Sequence, residues 1–180
     1  KFYERRARRI LPALLAMIVG CIAVGWFIML PDEFARLGKS AVAALLFSSN
    51  IWFWHAAGNY FGPDVDFEPL LHTWSLAVEE QFYIFFPLLL WLLAKRPRRW
   101  WPWAIAAVSL VSLALSIWAT RAEPTANFYL MPTRTWELGI GALLALGAFP
   151  RLRSAAAAHF VGLAGLALIA ASIVLISDET

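Results

Sequence analysis

The sequence predicts an all-α fold, a polytopic transmembrane helical bundle, on three observations. Of its 180 residues, 61% are hydrophobic and ten are tryptophan. Its mean hydropathy is +0.66, whereas soluble domains average about 45–50% apolar residues. The apolar residues are collected into long uncharged runs rather than spread evenly. The basic residues are collected as well, in short clusters beside those runs, as in chains whose orientation in a bilayer is set by Lys and Arg.

Apolar segments fall at about 11–30, 40–54, 76–94, 103–119, 136–149 and 155–176, so about five to six membrane segments are expected. The first contains "ALLAMIVGCIAVGWFIML" at 13–30, uncharged throughout. At ~1.5 Å per residue it is long enough to cross a hydrocarbon core of ~30 Å. The second and fifth are short for full crossings; tilting, re-entry or extension by polar turns would each accommodate them. The last is rich in Ala and Gly and contains His159. It suits close packing through small residues, although a plain low-complexity span would read the same. Cys21, the single cysteine, lies mid-span and supports no disulfide framework. The whole of 1–180 reads as one partial transmembrane domain, an internal piece of a longer protein. Lys1 stands where a start methionine would, and "LISDET" closes the chain just past an apolar run.

The net charge of +3 is more informative by position than as a total. "KFYERRARR" precedes the first segment and "KRPRR" at 95–99 follows the third; both are expected on the cytoplasmic side, as is "RLR" at 151–153 more weakly. The acidic residues gather in "PDEF", in "GPDVDFEP" and in a glutamate pair. Three full crossings would put the two large basic clusters on opposite sides. Either one basic cluster departs from the rule, or one of the three segments does not cross completely, with 40–54 the first candidate. Its end reads "SSNIWFWH", and Ser48, Ser49 and Asn50 suit a segment that turns within protein, where backbone groups can be satisfied.

Inside "LLHTWSLAVEEQFYIFFPLLLWLLAK", residues 70–95, stand a histidine and two adjacent glutamates. Pro69 is suited to the first turn of a helix over about 70–94, and Pro87 to a kink within it. His72 and Glu79 then project from nearly one face, with Ser75 and Tyr83 on the same stripe, while Glu80 is turned ~100° away. Ionisable groups at membrane depth usually face a cavity or a partner, and an arginine nearby would keep a carboxylate ionised. Arg134, three before Glu137 in "MPTRTWELGIGALLAL", is the basic residue outside the terminal clusters best placed to help, with Thr133 as a candidate N-cap. Glutamates in the first turn of a span can equally lie at the water interface, favoured by the helix dipole.

"RRARR" holds two overlapping Arg-x-x-Arg pairs, Arg5 with Arg8 and Arg6 with Arg9, each sharing a helix face. Such guanidinium groups can grip phosphates through paired N–H donors. A topology signal with anionic-lipid contact is the plainer alternative. Nucleic acid is not an expected partner, because the cluster leads directly into a span.

With these motifs the chain resembles the acyltransferase 3 family, the bacterial integral-membrane acyltransferases that O-acylate cell-surface sugars, O-antigen acetylases among them. "FYERRARRILP", "LLFSSNIWFW", "NYFGPDVDFEPLLHTWSLAVEEQFYIFFPLLL" and "PTRTWELGIGALLAL" occur in the family's order and cover nearly the whole chain. "HTWSLAVEEQFY" is the most specific block.

The resemblance implies a multi-pass protein of the bacterial cytoplasmic (inner) membrane that moves an acyl group to a carbohydrate hydroxyl. The donor is usually acetyl-CoA, and the acceptor a lipopolysaccharide O-antigen or an exopolysaccharide. Acyl-CoA is then a donor substrate rather than a resident cofactor, no metal is implied, and lipid, donor and carbohydrate are the partners. The arginines match the family's Arg-x-x-Arg element, associated with the phosphorylated donor: Arg6 and Arg9 in one register, Arg5 and Arg8 in the other.

The expected catalytic set is Glu79, orienting or charge-balancing a base, with Glu80, His72 and Arg134. The stretch from Asn59 to His72 is expected to lead into the cavity. The family's two helices before the arginine block, one carrying a histidine regarded as essential, are not in this sequence. His72 is a different histidine, so the fragment alone is expected to be inactive and its parent an enzyme. The rival class is a proton-coupled transporter or flippase using the His–Glu stripe as a relay.

Overall fold

The computed structural model describes residues 2–58, 67–149 and 154–175. The acidic "GPDVD" at 62–66, "RLR" at 151–153 and most of the lead from Asn59 toward His72 lie outside the described residues. Two compact units divide the chain, Lys1–Ala142 and Leu143–Thr180. Among the described residues every regular element is helical, and four helices are long and apolar enough to cross a membrane: Phe2–Ile28, Thr73–Leu93, Arg98–Ala122 and Ala155–Ser172. The chain is a helical membrane bundle. The shorter apolar segments at 40–54 and 136–149 do not form helices of spanning length.

Helix α1 (Phe2–Ile28) includes the arginine cluster and continues through Pro12. The arginines therefore stand on a rigid helix rather than on a loop. After a two-residue break Pro31 opens α2 (Pro31–Leu45), where a missing N–H has no helical partner to lose. Glu33 Oε2 accepts the Leu30 N–H at 3.0 Å and closes the N-terminus. Helix α2 folds back along α1: Trp26 meets Phe34 edge to face at 5.5 Å. Gly25 sits close at this crossing: a Cβ there would stand 2.9 Å from Leu37 Cδ2, so the leucine side chain would have to shift.

The apolar segment 40–54 is broken as expected. α2 stops at Leu45, and α3 (Ser49–Ala57) sets off anew after an elbow. Phe47 sits in the elbow at φ +52°, a left-handed conformation that costs a non-glycine residue roughly 1–2 kcal/mol. The surroundings hold it there: Gln81 Nε2 donates to the Phe47 carbonyl at 2.9 Å, and the Ser48 N–H reaches Ala43 O at 2.8 Å.

Helix α4 (Thr73–Leu93) carries the glutamate pair and runs on through Pro87. It starts at Thr73, not near Pro69. The residues before it form tight turns, with the Thr73 N–H on Leu70 O and the Trp74 N–H on Leu71 O. Leu70 is fully buried, its carbonyl accepts the Thr73 hydroxyl at 2.7 Å, and Ser49 Oγ donates to Thr73 O at 2.9 Å. Anchoring Leu70 in the core fixes the turn and delays the α-helix.

Contacts with α1 descend as α4 ascends: His72 meets Met17, Glu80 meets Arg6, and Tyr83 meets Phe2. The two helices are antiparallel, so Lys95–Arg99 lies on the same side as the α1 arginines. The broken 40–54 segment removes the parity conflict.

A short 3-10 turn, Arg98–Trp100, leads into α5 (Trp101–Ala122), with Trp101 Nε1 donating back to Leu93 O at 3.1 Å. Then come α6 (Pro124–Tyr129) and α7 (Met131–Ala145). Ser112 of α5 locks onto the first turn of α7: its hydroxyl donates to Pro132 O at 2.6 Å and accepts the Trp136 N–H at 3.0 Å. One turn further along, Gly139 lies so close to Ser109 that a Cβ would run into the serine hydroxyl. Thr133 is not the cap of α7, which begins two residues earlier; its hydroxyl turns to the carbonyls of Leu130 and Asn127. In the second unit, α8 (Ala155–Leu175) is an apolar helix exposed along most of its length, as a lipid-facing span is.

The core of the first unit joins Leu14 and Ile18 of α1, Leu37, Ala41 and Ala44 of α2, Phe53 of α3, Leu70 and Tyr129. Beside it Asn50 and Gln81 exchange amide hydrogen bonds, Gln81 Nε2 to Asn50 Oδ1 at 2.8 Å and Asn50 Nδ2 to Gln81 Oε1 at 3.3 Å. Asn50 Nδ2 also reaches Tyr129 O at 3.2 Å. This network ties α3, α4 and α6 together.

The antiparallel pair predicts sidedness. In a full-length protein with Cys21 replaced by alanine, single cysteines at Arg8 and Arg98 are expected to react with a membrane-impermeant maleimide from the same side of sealed vesicles. Labelling from opposite sides would contradict the antiparallel arrangement.

Candidate functional site

The glutamate pair divides its labour by helical geometry. Thr73, Ala77 and Glu80, spaced at i, i+4 and i+7, form the buried face of α4. Glu80 is therefore drawn inward, while Glu79, one residue earlier, is exposed. Glu80 is 12% exposed at its side chain and accepts Arg6 Nη2 at 2.6 Å and Arg6 Nε at 3.2 Å. The guanidinium also lies over the Tyr83 ring, 3.4 Å from its centroid. A carboxylate edge and an aromatic face leave the guanidinium little freedom to turn.

Arg6 is thus the partner of a glutamate on α4, a pairing the sequence reading did not anticipate. That reading looked to Arg134, which instead forks onto Glu137 with Nη2–Oε2 at 3.1 Å and lies over the Trp74 ring at 5.0 Å. The small residues Thr73 and Ala77, in step with Glu80, were the available signal that Glu80 rather than Glu79 faces a neighbouring helix.

Two cavities flank Glu79. The larger, about 620 Å3, is lined by Arg5, Arg6, Arg9, Glu79 and Tyr83, with Phe2, Ile10 and Leu76 as its apolar walls. Even with Glu80 counted against Arg6, cations outnumber carboxylates here. Arg8 is turned away from it and pairs with Glu4 at 2.8 Å on the exposed face of α1. The cavity opens on the middle of α4: about 15 Å of helix, Ile84 to Leu93, continues beyond Tyr83. The smaller, about 110 Å3, is lined by Ser75, Glu79, Arg134 and Glu137, with Trp74, Val78 and Leu138.

His72 is among the lining residues of neither cavity. It precedes α4, and its Nε2 lies 2.8 Å from Met17 Sδ. Ser75, Glu79 and Tyr83 keep the common face expected of them, but His72 is not brought together with Glu79. A second partly buried ion pair, which the sequence reading did not single out, joins Arg36 of α2 to Glu68 at 2.7 Å.

Against this geometry stand the comparisons with known proteins. The family model described as an acyltransferase domain, acyltransferase 3, matches residues 1–180. The chain belongs to the acyltransferase 3 family. A Staphylococcus aureus (strain COL) protein named "Putative O-acetyltransferase SACOL0978" is 32% identical over 149 residues, covering 80% of this chain and 24% of that protein. O-acetyltransferase OatA of Staphylococcus aureus (strain NCTC 8325 / PS 47) is 38% identical over 120 residues, or 65% of this chain and 19% of OatA. The chain therefore spans about a quarter or less of the length of these relatives. No solved structure matches it. In this acyltransferase 3 chain, the Arg-x-x-Arg element places Arg6 and Arg9 on the larger cavity with Arg5, while Arg8 lies outside it.

Replacing Glu80 with alanine leaves the Arg6 guanidinium without its carboxylate inside the bundle. The expected loss is about 2 kcal/mol for a charge-assisted bond at a partly exposed site. Thermal unfolding of the purified full-length protein measures it, and Glu80→Gln, which keeps a hydrogen-bond acceptor, is expected to lose less.

Proposed function

We propose that this chain is the membrane part of an acyltransferase that moves an acetyl group from acetyl-CoA to a hydroxyl of a cell-surface carbohydrate, such as an O-antigen or exopolysaccharide, in the bacterial cytoplasmic membrane. One observation carries the reading: three arginines of α1 and the exposed carboxylate of Glu79 line a single cavity. Phosphates are held best by several guanidinium groups with fixed orientation, and Arg6 is fixed by Glu80 and Tyr83.

Arg5, Arg6 and Arg9 hold the phosphates of the donor. Binding energy from that remote part of acetyl-CoA then positions the thioester beside α4. Glu79, not engaged in the Arg6 pair, is the carboxylate available to take or direct the proton of the attacking hydroxyl. Glu80 is a positioning residue, because its oxygens are committed to Arg6. Family membership supports acyl transfer, and the names of the S. aureus relatives support acetyl as the group moved.

Two substitutions separate donor binding from chemistry. Arg5→Ala with Arg9→Ala removes two guanidinium groups while leaving the Arg6–Glu80 pair intact. It is expected to weaken acetyl-CoA binding by about tenfold or more per arginine, as titration calorimetry on the full-length protein would read. A transporter using Glu79 as a proton relay would show no such loss.

Glu79→Gln is expected to leave acetyl-CoA binding nearly unchanged and to lower the rate of acetyl transfer by about 10²–10⁴-fold. Radiolabelled acetyl incorporated into envelope polysaccharide measures it. A full-length protein that labels no polysaccharide, with acceptor present, would overturn the assignment.

A further inference from the structure

The smaller cavity on the far side of Glu79 has no task in the scheme above, and its composition reverses that of the larger one. Two carboxylates, Glu79 and Glu137, face it against one guanidinium, Arg134. An anionic phosphate would meet net repulsion there. The walls instead suit a neutral, hydroxyl-rich ligand: carboxylate oxygens and the Ser75 oxygen, whose own O–H is given to His72 O, accept O–H bonds, while Arg134 N–H groups offer donors to ring or hydroxyl oxygens.

The polar wall is already ordered. Arg134 is held between the Trp74 ring, 5.0 Å from its centroid, and Glu137, at 3.1 Å. Ser75 Oγ is fixed on His72 O at 3.1 Å. The volume is about 110 Å3, against about 620 Å3 for the arginine cavity. It admits a hydroxymethyl arm or a diol edge but not a nucleotide.

We propose that this small cavity is the acceptor subsite of the enzyme, receiving the hydroxyl-bearing arm of the carbohydrate that is acylated. The proposal rests on the acyltransferase reading given above and adds to it where the second substrate enters. Glu79 is the shared wall. Because Glu79 lines both, a hydroxyl held in the small cavity and a thioester held in the arginine cavity can meet beside it.

The step then balances. The acceptor O–H proton passes to Glu79, and the oxygen bonds to the acyl carbon. The carbon–sulfur bond breaks with its electron pair leaving on the CoA sulfur, and the sulfur recovers the proton from Glu79. Arg134 and Glu137 take no proton; they hold the acceptor.

The test uses the full-length protein and reads donor and acceptor separately. Ser75→Trp fills the cavity with an indole. It is expected to lower the ester-linked acetate on envelope glycans of a complemented deletion strain by about 100-fold, while acetyl-CoA affinity stays within about twofold. Glu137→Gln, which changes one charge and little volume, is expected to lower the same acetate by about tenfold with donor affinity kept. It decides the matter if the tryptophan variant does not fold.

Undiminished glycan acetate in the folded variants would overturn the subsite. Loss of acetyl-CoA binding in parallel with loss of acetate would also overturn it, by placing the cavity in the donor site. A wild-type protein that binds no acetyl-CoA would fail the acyltransferase reading itself, and the subsite with it.

Discussion

A guanidinium and a carboxylate brought into an apolar bundle depend on one another, and the Arg6–Glu80 pair sets much of what surrounds it. Either ion alone would lose part of its hydration with no opposite charge to replace it. Together they join α1 to α4, and with Met17–His72 and Phe2–Tyr83 on either side they set the antiparallel order of the two helices. The pair also sorts the neighbouring groups. With Glu80 committed to Arg6, Glu79 is left exposed, and Arg5 and Arg9 flank the same opening. The chemistry that the cavity can support follows from which of two adjacent glutamates turns inward.

That sorting also makes the two cavities electrostatically unlike. One is walled by the arginines of α1, the other by carboxylates of α4 and α7 with a single arginine. Charged walls a few ångströms apart, in surroundings of lower dielectric than water, discriminate between ligands more strongly than the same groups on an open surface. An anionic donor and a neutral acceptor would sort themselves without moving parts, and Glu79 would need only to stand where the two compartments meet.

Much of this was legible in the sequence, and what was not has a common cause. Apolar run length gave the membrane helices, and the motif order gave the family. The conflict between "KFYERRARR" and "KRPRR" pointed to 40–54 as the first candidate for an incomplete crossing, because sidedness is a sum over crossings. The start of α4 was misplaced because Pro69 is a good helix opener in isolation, whereas Leu70 buried in the core holds the chain in a tight turn first.

The partner of Arg6 was not legible, since residues 74 apart in sequence carry no periodic relation to each other. Local geometry did give Ser75, Glu79 and Tyr83 a common face. It could not show that His72, at the foot of the helix, rests against a methionine of α1. Arg36 and Glu68 were hidden for the same reason, each unremarkable until the fold brings their helix and turn together.

The elbow at Phe47 has a consequence for the molecule's orientation as a whole. A straight helix from Pro31 to Ala57 would be about 40 Å long, enough to carry the backbone through the bilayer once more. Each later helix would then enter from the other leaflet, and the basic residues following α4 would emerge opposite those of α1. One left-handed residue, held by the amide of Gln81, thus acts as a parity bit for α4 and the basic residues that follow it. The backbone conformation of a single residue bears on the side from which α4 sets out.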